Sequence, residues 1–118
     1  MKIQIQDQQL RWRIDENELA TLLEIGVVKS ETHWSANAGL LQRISLHSNA
    51  RPVLMMSSSE WELSLPRETL LAYVERLPCR DALVVEWQPD RAPELQVMFE
   101  VDVRDSKRVR GRSTKSRD

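Results

Sequence analysis

A chain of 118 residues, 41% hydrophobic and 30% charged, has room for one core and the composition of a folded domain rather than of a disordered segment. Its net charge of −1 conceals a split: seven basic and two acidic residues fall between Arg104 and Asp118, so that segment carries +5 and the remainder −6. The single cysteine, Cys79, excludes an intrachain disulfide, no stretch approaches the roughly 20 apolar residues of a membrane-spanning helix, and the alternating N-terminal stretch MKIQIQDQQLRWRI lacks the apolar run of a signal peptide, all of which fits a cytoplasmic protein.

The segments KIQIQ and LRWRI alternate with period two and flank Asp7-Gln8, which predicts a hairpin. A two-residue turn there sets the register: Ile5 opposes Leu10, Gln4 opposes Arg11, Ile3 opposes Trp12 and Lys2 opposes Arg13. Ile3, Ile5, Leu10, Trp12 and Ile14 then share a buried face, while Lys2, Arg11 and Arg13 share the other. Arginines flanking a tryptophan are also the look of a nucleic-acid surface, but here alternation turns the Trp12 ring away from the cations and into the core. The three cations repel, and two sources of compensation are open. The segment ELQVMFEVDV places Glu94, Glu100 and Asp102 on one face and could lie beside the hairpin. Otherwise Lys2, Arg11 and Arg13 are a candidate contact for an external anion or a partner.

Asp15 with Glu18 three residues later makes a capping box; Leu19, Leu22 and Leu23 form one stripe and Gly26 ends a helix over residues 16–25. The next predicted strands, VVKSETHW and LLQRISLH, are joined by SANAG, with Trp34 opposite Leu40 and His33 opposite Leu41. PVLMM is a short apolar run, SSS a turn, and EWELSL alternates again. LPRETLLAYVERLP reads as a second helix, with Pro66 in its first turn and Leu70, Leu71, Val74 and Leu77 on one face. DALVVEW and LQVMFEVDV are the last strands. Beyond Val103 the only apolar residue is Val109, and the segment reads as a disordered basic tail. With no visible repeat and no βαβα alternation, the order ββαββββαββ predicts an α+β domain over residues 1–103. Its expected form is a strongly curved antiparallel sheet or a partly closed barrel with two helices, followed by the tail over residues 104–118.

Signatures of catalysis are missing. Cys79 follows a predicted helix C-terminus, whose partial negative charge disfavours a thiolate. No nucleophile elbow surrounds the serines of MSSSEW, and three scattered glycines, Gly26, Gly39 and Gly111, make no phosphate loop. Glu60 and Glu62 share a strand face and read as solvated acids. His33, His47 and Cys79 are the nitrogen and sulfur ligands, and the predicted hairpin separates the two histidines by on the order of 20 Å, which excludes a shared metal. We therefore expect no cofactor and no metal.

The stretch MKIQIQDQQLRWRIDENELATLLEIGVV resembles the start of a family of short, uncharacterised bacterial proteins: a basic alternating strand, a turn, an arginine-flanked second strand and a capped helix ending in glycine and a hydrophobic pair. LPRETLLAYVERLPCRDALVVEW is similar to that family's later proline–helix–strand portion. The resemblance covers most of residues 1–103. It implies a domain of unknown function and assigns no catalytic residue; the arginines flanking Trp12 match the pattern, whereas the tail is not part of it, nor are all four of the tryptophans.

Three functions follow as expectations. The first is a non-enzymatic module that binds a protein partner or itself through sheet edges. The second is an accessory nucleic-acid-binding protein acting through Lys107, Arg108, Arg110, Arg112, Lys115 and Arg117 of the tail. The third is a small-ligand carrier with a pocket inside the curved sheet.

Overall fold

A computed structural model of the chain describes residues 1–78, 81–87 and 91–103, apart from the side chain of Glu86. Cys79 and the basic tail lie outside the described residues. The chain begins with β1 (Lys2–Gln6) and β2 (Gln9–Asp15), paired antiparallel around Asp7-Gln8 in the register Lys2–Arg13, Ile3–Trp12, Gln4–Arg11. Asp7 takes a positive φ of 51°, as the tight turn demands and as a short polar side chain tolerates. Helix α1 (Glu16–Ile25) follows directly. Its capping box is complete: the Glu18 amide donates to the Asp15 carboxylate at 2.8 Å, and the Asp15 amide donates to Glu18 Oε1 at 3.0 Å. The second Glu18 oxygen accepts from the α-amino group of Met1 at 2.7 Å. Gly26 closes the helix at φ 94°, a left-handed conformation that a side chain would strain.

Next come β3 (Val27–Ser35), β4 (Ala38–His47), β5 (Val53–Met56) and β6 (Glu60–Pro66). The β3–β4 connection is tighter than SANAG suggests. Ser35 pairs with Ala38 around Ala36-Asn37, and a register shift at Trp34 leaves Thr32 opposite Leu40 and His33 opposite Gly39. Helix α2 (Arg67–Glu75) starts after Pro66, which supplies fixed backbone rather than a capping side chain. It buries Leu70 and Tyr73 and leaves Leu71 exposed, because positions 70, 73, 74 and 77 keep the helical spacing that 71 breaks. Strands β7 (Leu83–Trp87) and β8 (Leu95–Asp102) complete the described domain.

The single curved antiparallel sheet or barrel expected from the sequence is not the architecture. There are two four-stranded mixed sheets, ordered β1-β2-β8-β7 and β3-β4-β6-β5, and neither closes. Each has a parallel pair at its centre, β2 with β8 and β4 with β6. The reason is the path of the helices. Each helix carries the chain out of one sheet into the other, so the strand after a helix cannot pair with the strand before it. The place beside β2 is filled by β8, more than 80 positions on in register: Trp12 lies against Phe99 and Ile14 against Val101. One core joins the sheets, built on Leu10, Trp12, Ile14, Ile44, Leu63, Leu65, Val97 and Phe99 with Leu19, Leu22, Leu70 and Tyr73 from the helices. The ring of Phe99 meets that of Tyr73 edge-on, with centroids 5.8 Å apart.

The topology contains a repeat. Residues 1–47 and 53–102 each run strand, strand, helix, strand, strand, and each half gives one hairpin to each sheet. Exchanging the halves exchanges the sheets: β1-β2-β8-β7 becomes β5-β6-β4-β3. Aligned on the strand-to-helix junctions at Asp15 and Pro66, the buried positions coincide as Trp12 with Leu63, Ile14 with Leu65, Leu19 with Leu70 and Leu22 with Tyr73. Only the third of these pairs is an identity, so the sequence does not display the repeat.

Candidate interaction surface

Consider first the cations that the hairpin register gathers on the outer face of the first sheet. Arg11 donates to Glu100 Oε1 at 3.0 Å, and Arg13 donates to Glu100 Oε2 through Nη2 at 2.9 Å and Nε at 3.2 Å. One carboxylate thus sits between two guanidiniums, as the β2–β8 register of Arg13 with Glu100 requires. Arg11 also lies 3.7 Å from the Met98 sulfur. Lys2 is exposed and makes no ion pair with a described residue. Glu94 falls before β8, and its backbone carbonyl accepts from the Gln8 amide instead. Glutamines 4, 6, 8, 9 and 96 surround the hairpin and line open depressions there. The candidate tail cations from Lys107 to Arg117 lie outside the described residues.

The outer face of the second sheet has the opposite arrangement. Arg43 on β4 donates to Glu60 at 2.7 Å and lies 3.6 Å from Glu62, and the Ser45 hydroxyl donates to Glu62 at 2.6 Å. Glu60 and Glu62 are therefore tied to neighbours. Ser57 organises the turn into β6: its hydroxyl accepts from the Glu60 amide at 3.0 Å and donates to the Glu60 carbonyl at 3.1 Å. The serines of this turn have a structural role, and the Trp61 indole donates to the Ser57 carbonyl at 3.1 Å. Among the described residues no group of three His, Cys, Asp or Glu side chains could hold a metal ion, and no helix is long and apolar enough to cross a membrane.

The edges of the sheets differ more than their faces. Proteins guard edge strands with charge because unpaired backbone groups there recruit other strands. Among these edges β1 carries Lys2 and β3 carries Lys29 and Glu31, whereas β5 reads Val-Leu-Met-Met without a charge. Val53, Met55 and Met56 are 47%, 46% and 41% exposed. The repeat supplies a comparison within the molecule. By register, Val53 occupies the place of Lys2 and Met55 that of Gln4. A lysine and a glutamine serve the fold at these positions in one half, so packing does not demand apolar side chains in the other. Trp34, at the far edge of the same sheet, is 63% exposed. Sequence reasoning passed over β5 because VLMM looks like any buried run; the signal lay in its shortness, with only Leu54 needed to face the core.

No family model, curated protein or solved structure matches the chain. The assignment of function therefore rests on the geometry above.

Proposed function

We propose that this chain is a non-enzymatic protein-interaction module whose contact element is the open β5 edge of the second sheet. What supports the reading is the contrast between β5 and its counterpart β1: the same place in the fold, polar and charged in one half, apolar and uncharged in the other. An extended strand laid along β5 gains backbone hydrogen bonds from the edge and covers Val53 and Met55. The outer-face cations are a weaker candidate, since Arg11 and Arg13 share Glu100 and leave Lys2 alone to meet an anion.

The test is nuclease-treated affinity capture with the full chain, with Met55→Lys, and with Gln4→Lys at the equivalent place on β1. A partner held by the native chain and by Gln4→Lys but lost with Met55→Lys supports the edge. Capture that is indifferent to Met55 and abolished by nuclease would sink it and favour the basic tail.

A further inference from the structure

Building on that reading, we infer that the strand which β5 accepts is β5 of a second copy of this chain, joined antiparallel about a two-fold axis through Met55. The direction of the edge's hydrogen-bonding groups fixes the register. The Ser57 amide donates to the Glu60 carbonyl at 2.9 Å across the β5–β6 hairpin. Antiparallel alternation then turns Ser57, Met55 and Val53 toward β6 and aims the N–H and C=O groups of Leu54 and Met56 at the open edge. A two-fold axis perpendicular to the sheet keeps each side chain on its own face, so only registers that pair residues of like facing are allowed. Two fit a strand this short. Centring on Leu54 sets Met56 against Pro52, which has no N–H to give. Centring on Met55 sets Leu54 against Met56 twice over, and each of those pairs exchanges both hydrogen bonds.

The Met55-centred register also matches the side chains. On the outer face Met55 meets its own copy, and Val53 lies across from Ser57. On the core-facing side Leu54 meets Met56. No charge is covered. Arg51, which makes no ion pair with a described residue, comes opposite Ser59, beside the partner's Glu60. The chain offers no better occupant of its own, since residues 104–118 contain one apolar residue, Val109, and cannot alternate. A symmetric pairing closes after two copies and makes one eight-stranded sheet from two second sheets. Four residues of strand, about 14 Å at ~3.4 Å each, make a small contact, at the weak end of specific interfaces. The dimer is therefore concentration-dependent.

Sedimentation equilibrium of the full chain over a wide concentration range, with four variants on a Cys79→Ser background, tests this. The expected result is a monomer–dimer equilibrium that Met55→Lys abolishes and Gln4→Lys preserves. Under mild oxidation Met55→Cys should cross-link to itself, because directly opposite residues of a non-hydrogen-bonded pair stand about 4.5 Å apart at Cα. Leu54→Cys, facing Met56, should not. A folded chain that stays monomeric throughout overturns the self-pairing, as does a dimer that survives Met55→Lys or cross-links through Leu54→Cys alone. A monomer that still captures a protein in a Met55-dependent way overturns self-pairing and leaves the edge reading standing; loss of Met55 dependence removes both.

Discussion

Trp12 and Leu63 hold the same position in the two halves of the fold, each fully buried at the centre of a sheet beside its parallel neighbour, Phe99 for one and Ile44 for the other. They differ in one respect. The Trp12 indole N–H has no hydrogen-bond partner among the described residues, and a buried unsatisfied donor costs about 1–3 kcal/mol. Trp12→Phe removes that donor together with some volume, so its net cost should be small, whereas Trp12→Ala should cost about 3–5 kcal/mol and Leu63→Ala about 2–5 kcal/mol. Urea unfolding of the three variants checks this. A Trp12→Phe as damaging as Trp12→Ala would show that the indole nitrogen is satisfied.

Glu100 is the only described carboxylate bonded to Arg11 and Arg13, and Lys2 lies opposite Arg13 on the same face. The side chains are 20–37% exposed, so each pair contributes no more than about 0.2–1 kcal/mol after solvent screening. Glu100→Gln should destabilise by about 1 kcal/mol at low salt, the two pairs together, and should respond to salt with the opposite sign. Added salt weakens the native attractions but relieves the repulsion among three uncompensated cations in the variant. Unfolding midpoints measured at low and at high sodium chloride should converge; parallel midpoints would mean that another group compensates the cluster.

How much of this was legible beforehand can be read from the same residues. The register that set Lys2 against Arg13 followed from alternation and a two-residue turn, both local. The Asp15–Glu18 box and the Gly26 stop were equally plain. The strand beside β2 was half legible: the carboxylates of ELQVMFEVDV marked it as a neighbour that could balance Arg11 and Arg13, and Glu100 does so, but alternation marks only a strand's faces and gives neither the register that sets Arg13 against a residue 87 positions away nor the strand's direction. The parallel pairs and the repeat were invisible for that reason. Ile5 was misjudged for another: it shares a face with Trp12, but it sits on an edge strand near the turn, beyond the reach of the core, and is exposed. The β5 edge became recognisable as a site only when the repeat set it beside β1.

Two glycines should respond to alanine for different reasons. At Gly26 there is space, the nearest atom to an added Cβ being Arg67 Nη2 at 3.6 Å, but φ is 94°, so Gly26→Ala should cost about 1 kcal/mol in backbone strain and leave the fold intact. At Gly39 the conformation is ordinary, but an added Cβ would run into the Thr32 carbonyl across the hairpin. The backbone must shift to admit it, so Gly39→Ala should distort the β3–β4 tip. Fluorescence of Trp34, in the register shift two residues from Thr32, should change in Gly39→Ala and not in Gly26→Ala.

Amide hydrogen exchange offers a view of β5 residue by residue. In the free chain the alternation set by the Ser57–Glu60 bond ties the amides of Val53 and Met55 to β6 and points those of Leu54 and Met56 outward. The first pair should therefore be protected and the second pair should exchange fast, an alternating pattern along four residues. Raising the protein concentration should slow Leu54 and Met56 while leaving Val53 and Met55 nearly unchanged, because pairing with a second β5 occupies only the outward groups. General tightening of the domain would slow all four together, and stacking through the exposed side chains of Val53 and Met55 would leave the alternation as it was. Only a strand added along the edge converts an alternating pattern into a uniform one.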